Sequence, residues 1–330
     1  MCIRDSDILY AGAPAIDNAL CGPFDDAQKA LVTGKIVVCD RGGNGRVEKA
    51  ENVADAGGAG YVLANNAASG DSLSGDAFPL PGVHISFDDG VALKAWLSGC
   101  ADCKASISGT TRDIKPSYGD VMASFSSRGP NALATGLLKP DLAAPGVDIL
   151  AAGVNADLAA ADYEFLSGTS MASPHVAGAV ALLRQLHPDW TPAEVKSALM
   201  TTAVTALRKE DGTTPADPFD YGAGRVNVAR AAFAGLVLDV TGAEMENADP
   251  FLGGNPAALN LPSMADDACI TTCSFTRTLR STLDVPVTWG AAGNGNAAVA
   301  VTVQPTSFTI APGATQLITI TADVSGGTIG

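Results

Sequence analysis

The sequence predicts an α/β protein that closes on an all-β sandwich, and three observations carry that prediction. In the first third, short apolar runs alternate with stretches of helical spacing. In the middle, a glycine-marked turn opens a long apolar helical run, Ser167–Leu183. From about residue 239 the pattern changes to strict apolar–polar alternation between Gly, Pro and Asn turns.

Residues 21–107 read as one compact β-rich unit, with residues 1–20 set apart as a stub of the domain at 108–238. Lys35-Ile36-Val37-Val38-Cys39 has the composition of a buried strand, and Val47–Ala56 has helical spacing stopped by Gly57-Gly58. Gly60–Ala64 and Gly82–Phe87 are further strands, and Asp88 is placed to cap a helix through Val91, Leu93, Trp96 and Leu97. Gly42, Gly43 and Gly45 invite comparison with a phosphate-binding loop, but they lack its spacing and its lysine, so a plain loop is expected.

Residues 108–238 are apolar and punctuated by glycine. Val121–Pro130 and Leu138–Leu150 read as short buried strands broken by Pro and Gly turns. Thr191, Pro192 and Glu194 form a helix-opening signature: Thr caps, Pro suits the first turn, and Glu reaches back to complete a capping box. Val195, Ala198, Leu199 and Ala203 supply that helix's buried face, and Tyr221–Asn227 precedes a short alanine-rich helix. In 239–330, Phe275–Leu279, Val285–Trp289, Val299–Val303 and Leu317–Thr321 alternate as strands, with Pro312-Gly313 as a turn. No seventh strand precedes the Gly-rich end, so the sandwich reads as cut short.

A chain of 330 residues accommodates two or three domains, and 47% hydrophobic against 17% charged residues is a globular balance. The net charge of −15 leaves no cation excess to neutralise phosphates, which argues against a nucleic-acid partner. No run is long and apolar enough to span a membrane, so no membrane partner is expected. Met1–Tyr10 lacks the basic start and apolar stretch of a signal peptide. Met1–Ser6 reads as foreign to the rest of the chain, as a misplaced start on a truncated sequence would.

Seven cysteines allow three local pairs, Cys21 with Cys39, Cys100 with Cys103 and Cys269 with Cys273, leaving Cys2 over. Cys100 and Cys103 could also form a redox or zinc half-site, yet no second such pair or histidine pair completes it. Local disulfides in an exported protein are the better reading, and no metal site is expected. The dense carboxylate loop of a dedicated calcium site is not evident either.

Ser170 is the candidate with chemistry. Tyr163–Leu166 can form a strand, Gly168 permits a turn, and the helix from Thr169 directs its free N–H groups and positive dipole end toward the serine. Such groups can hold the oxyanion of an acyl intermediate. The bland alternative makes Thr169 or Ser170 a helix N-cap. Val176–Leu183 is apolar almost all round, which predicts a buried helix.

A nucleophilic serine needs a histidine base and an orienting acid, and the chain has three histidines. His175 lies roughly 7–8 Å up the same helix and turned away, and His187 lies roughly 25 Å along it. His175 reads as a buried, backbone-bonded histidine and His84 as a strand residue. The Gly168–Ala172 string also resembles the serine elbow of α/β-hydrolases, but that order requires a histidine after the serine and none follows His187.

The string Gly168-Thr169-Ser170-Met171-Ala172-Ser173-Pro174-His175-Val176-Ala177-Gly178 resembles the nucleophile motif of subtilisin-like serine proteases. Segments 34–65, 124–130, 138–150, 190–203 and 221–228 are similar to cucumisin-like members that carry an inserted protease-associated (PA) domain. The resemblance implies the C-terminal part of a three-layer parallel-sheet catalytic domain at 108–238, a PA-like insert at 21–107 and a fibronectin III-like sandwich at 239–330. It also implies a secreted endopeptidase acting on proteins or peptides, with no required cofactor. Ser170 would be the acylated residue and its own N–H one oxyanion donor, with Gly168, Thr169 and Met171 as motif support. The family's Asp strand, His segment and oxyanion Asn precede the PA insertion and have no counterpart here, so this chain alone is expected to be inactive. Loss of the base removes most of the triad's contribution, about 10⁶ in rate. The competing expectation is a non-catalytic secreted binding protein built on the PA and sandwich modules.

Overall fold

The computed structural model describes residues 3–109, 114–153, 163–296 and 298–327, and Cys2 lies outside them. The chain divides into two units: Met1–Ser126 with Pro145–Met171 and Glu210–Thr214, and Ser127–Ala144 with Ala172–Lys209 and Pro215–Gly330.

The first unit is built on β1 (Ile3–Tyr10), α1 (Asp26–Val32), β2 (Ile36–Asp40), α2 (Arg46–Asp55), β3 (Gly60–Ala64), β4 (Gly82–Ile85), α3 (Phe87–Ser98) and β5 (Lys104–Ile107). The strand order is β4-β3-β2-β1-β5, parallel throughout except for β5 against β1. Residues 3–10 pair on both sides within this sheet.

Alternation across β2 and β3 explains why these runs are apolar at every position. Val37, Cys39, Tyr61 and Leu63 pack on one face with Val32, Ala50 and Val53 from α1 and α2. Ile36, Val38, Val62 and Ala64 pack on the other with Leu93 and Leu97 from α3. A parallel sheet covered on both faces needs such unbroken apolar strands. The cap of α3 is Ser86, which accepts from the Asp89 N–H, and not Asp88, which is already in the first turn. The glycine loop at 42–45 presents oxygen atoms rather than N–H groups: fully buried Lys49 donates to the carbonyls of Leu20 (2.6 Å) and Gly42 (2.8 Å) and to the Asn44 side chain. That polarity is the reverse of a phosphate cradle.

β6 (Ile149–Ala152) and β7 (Tyr163–Leu166) form an antiparallel pair whose Leu150 and Phe165 are exposed. The buried strands expected over 121–150 are otherwise turns and irregular chain, apart from a bridge residue at Val121 and a parallel bridge from Ala143 to Arg225. Pro130, Pro140 and Pro145 supply no ladder donors, which disfavours regular pairing there.

Helix α4 (Thr169–Leu186) runs from the first unit into the second. Only Ala179 and Leu183 of its residues are buried, whereas Leu182 and Leu186 are 58% and 55% exposed. The expectation of a buried helix is corrected: one stripe packs with α5 (Pro192–Thr201) and the chain around Val237, and the opposite apolar face is uncovered among the described residues. The capping box of α5 forms as its residues dictate, with Thr191 accepting from the Glu194 N–H and Glu194 from the Thr191 N–H. Two short helices come next, α6 (Pro218–Tyr221) and α7 (Val228–Ala231).

The remaining elements are β8 (Leu236–Val237), α8 (Gly242–Asn247), β9 (Thr272–Ser281), β10 (Val287–Gly290), β11 (Ala300–Gln304), β12 (Ser307–Ile310) and β13 (Thr315–Asp323). Two antiparallel sheets result, β11-β13-β9-β8 and β10-β12. This part is continuous with the helices before it. The Leu238 N–H donates to Ser197 Oγ of α5, and Arg280 of β9 pairs with buried Glu194.

Candidate active site

Ser170 is the second residue of α4 and is exposed. Among the described residues its hydroxyl makes no hydrogen bond, and its amide lies in the turn where helical N–H groups have no intrahelical partner. The helix begins at Thr169, so Gly168 occupies the flanking position and neither Thr169 nor Ser170 serves as the N-cap. Gly168 itself is not left-handed, and a Cβ there would meet nothing closer than 3.7 Å.

The turn is held by its neighbours. The Gly168 N–H donates to Gly146 O (2.7 Å) and the Met171 N–H to Gly168 O (3.0 Å). Asp148 and Ser167 form a reciprocal pair, the Asp148 N–H donating to Ser167 Oγ (2.8 Å) and that hydroxyl donating to Asp148 Oδ1 (3.0 Å). The same Oδ1 accepts from the Gly75 N–H at 2.7 Å. Asp148 had no sequence signal, because its partners lie 19 and 73 positions away.

His84 in β4 accepts from the Ser74 N–H at Nδ1 (3.0 Å) and meets Asn65 Oδ1 at Nε2 (2.8 Å), which assigns the neutral Nε2–H form. Burial pulls its pKa down, and Arg41 and Arg46 add to that against the Ser74 carbonyl and Asp76. His187 stacks on Trp190, with Nε2 2.9 Å from Ala232 O. His175 is exposed rather than buried, because that face of α4 is uncovered. The cysteines pair as Cys21–Cys39, Cys100–Cys103 and Cys269–Cys273. Among the described residues, no cluster of three or more His, Cys, Asp or Glu could hold a metal, and no helix is long and apolar enough to cross a membrane.

A strand, a turn and a helix frame an exposed serine in the first turn of that helix. The comparisons give that frame a family. The profile of the subtilase family matches residues 12–224, and the chain belongs to that family. It is 41% identical over 281 residues to subtilisin-like protease SBT1.6 of Arabidopsis thaliana, covering 80% of this chain and 36% of that protein. It is 46% identical over 225 residues to subtilisin-like protease SBT1.3 of the same plant, covering 63% and 29%. The chain thus spans about a third of the length of these curated relatives. Among solved structures, the psychrophilic subtilisin-like protease Apa1 from Pseudoalteromonas sp. AS-11 matches at 18% identity over 70% of this chain and 40% of that one, with a TM-score of 0.25.

Proposed function

We propose that these residues carry the nucleophile of a secreted serine endopeptidase, with Ser170 as the acylated residue. The observation that supports it is the exposed hydroxyl, without a hydrogen bond among the described residues, at the N-terminus of an 18-residue helix inside the stretch matched to the subtilase family. In this reading Ser170 Oγ attacks the scissile carbonyl, and the carbon–nitrogen bond breaks as the amine leaves with a proton. The Ser170 N–H and the helix dipole stabilise the oxyanion, and water then releases the acyl group.

The proton must be taken by a base; His84 and His187 make ring contacts of their own, to Asn65 and Ala232, and His175 lies five residues along α4 from Ser170. The 330-residue chain on its own therefore does not turn over. The PA-like and sandwich parts shape access of protein or peptide substrates, and the three disulfides suit an extracellular setting. A fluorophosphonate probe tests the reading. It should leave Ser170 unlabelled in the 330-residue chain and should label it in protein made from the complete gene, with labelling lost in Ser170→Ala. Strong labelling of the isolated chain would contradict its proposed inactivity, and labelling that survives Ser170→Ala would remove the nucleophile assignment.

A further inference from the structure

Besides its backbone bonds, the turn before Ser170 is tied through the side chain of Asp148 to the parallel-sheet part of the first unit. Asp148 Oδ1 takes both the Ser167 hydroxyl and the Gly75 N–H, and the Asp148 N–H returns a bond to Ser167. Gly75 is itself fixed on either side. Ser72 O accepts from Asn65 (2.9 Å) and Arg41 (3.3 Å), the Ser74 N–H donates to His84, and Asp76 receives a two-pronged contact from Arg46 (2.5 and 2.8 Å). The approach is close enough that a Cβ on Gly75 would lie 3.3–3.4 Å from the Asp148 carboxylate. Asp148 also holds a left-handed backbone, φ +49°, a conformation that Asp and Asn tolerate better than most residues.

We propose that Asp148 is a positioning residue that fastens the Ser170 turn to the Ser72–Asp76 loop, so that the parallel-sheet part sets the nucleophile's geometry. The proposal rests on the reading of Ser170 as nucleophile. Its physical content is that a turn held through Ser167 by the Asp148 N–H and carboxylate keeps Ser170 in one orientation, and that a displacement of about 1 Å costs on the order of 10²-fold in rate.

Three variants separate the side chain from the backbone. Asp148→Asn keeps an oxygen acceptor and the tolerance of positive φ. Asp148→Gly keeps the backbone and deletes the acceptor, and Asp148→Ala deletes the acceptor and strains the backbone. In protein from the complete gene, Asp148→Gly and Asp148→Ala should lower kcat about 10- to 100-fold with KM within about 3-fold, and Asp148→Asn should restore kcat to within about 3-fold of wild type. Hydrogen exchange on the 330-residue chain gives a second reading: the Gly75 amide should exchange about 5-fold faster in Asp148→Gly and at the wild-type rate in Asp148→Asn. Wild-type exchange at Gly75 in Asp148→Gly overturns the tether. Faster exchange with an unchanged kcat overturns the positioning role. Ser170→Ala, assayed in parallel, isolates the other failure: activity that survives it removes the nucleophile reading itself.

Discussion

Replacing Lys49 by methionine keeps most of the buried stem and deletes the ammonium that organises the 42–45 loop. Two acceptors then lose their donor, Leu20 O and Asn44 Oδ1, while Gly42 O keeps the Asn44 N–H (2.9 Å). A buried acceptor left unpaired costs about 1–3 kcal/mol. The loop is only partly buried and recovers some water, so the lower end applies to each group. Removing the ammonium also removes its own desolvation cost, the burial that already pulls the Lys49 pKa below its ordinary value. The balance is a loss of about 2 kcal/mol. At about 2–4 °C per kcal/mol for a unit of this size, Tm falls by about 4–8 °C. Calorimetry of wild type and Lys49→Met in the same buffer measures it. A Tm within about 2 °C of wild type would refute the dependence of this loop on its cation.

Three further outcomes are expected. His84 sits below its unfolded pKa of about 6.5, so between the two values the unfolded chain binds more protons and stability falls as pH drops below about 6.5. Urea midpoints at about pH 7.5 and about pH 5.0 should therefore differ more in wild type than in His84→Gln. Burial raises the Asp141 carboxyl, but Lys139 (2.6 Å) and Lys196 (2.8 Å) outweigh it and hold its pKa below the usual range. Its contribution is present above about pH 3.9 and is lost as pH falls through the lower folded value, so Asp141→Asn should be less stable at about pH 6 and flatten the acid limb of the stability profile. Gly222 has φ +70°, and a Cβ there would overlap Pro140 O, so Gly222→Ala should cost more than about 1 kcal/mol by chemical denaturation.

Much of the fold was legible where local chemistry and tertiary context agree. β2 and β3 are apolar at successive positions because both sheet faces are covered, and α5 carries its own start signal in Thr191, Pro192 and Glu194. β1 was illegible because Arg4, Asp5, Ser6 and Asp7 break any apolar pattern; its place comes from two neighbouring strands. The exposure of α4 was hidden for a similar reason, since an apolar run says that a face needs cover and not whether cover is present. Ser170 was readable from its motif. Asp148 was not, because a bond to Gly75 across 73 positions leaves no local trace.

Glu194 has a consequence for how this chain can be divided. One carboxylate oxygen closes the cap of α5 and the other meets Arg280 on β9, so one side chain serves as both a helix terminator and an inter-element ion pair. Cutting the protein after residue 238 would strand a buried anion at the start of the best-formed helix of the second unit. The β-sheets after residue 238 are therefore tied to α5 through this pair. Any graft or deletion that respects only the change in sequence pattern at 239 would remove the counter-charge of the preceding helix, unless position 194 were neutralised in the same step.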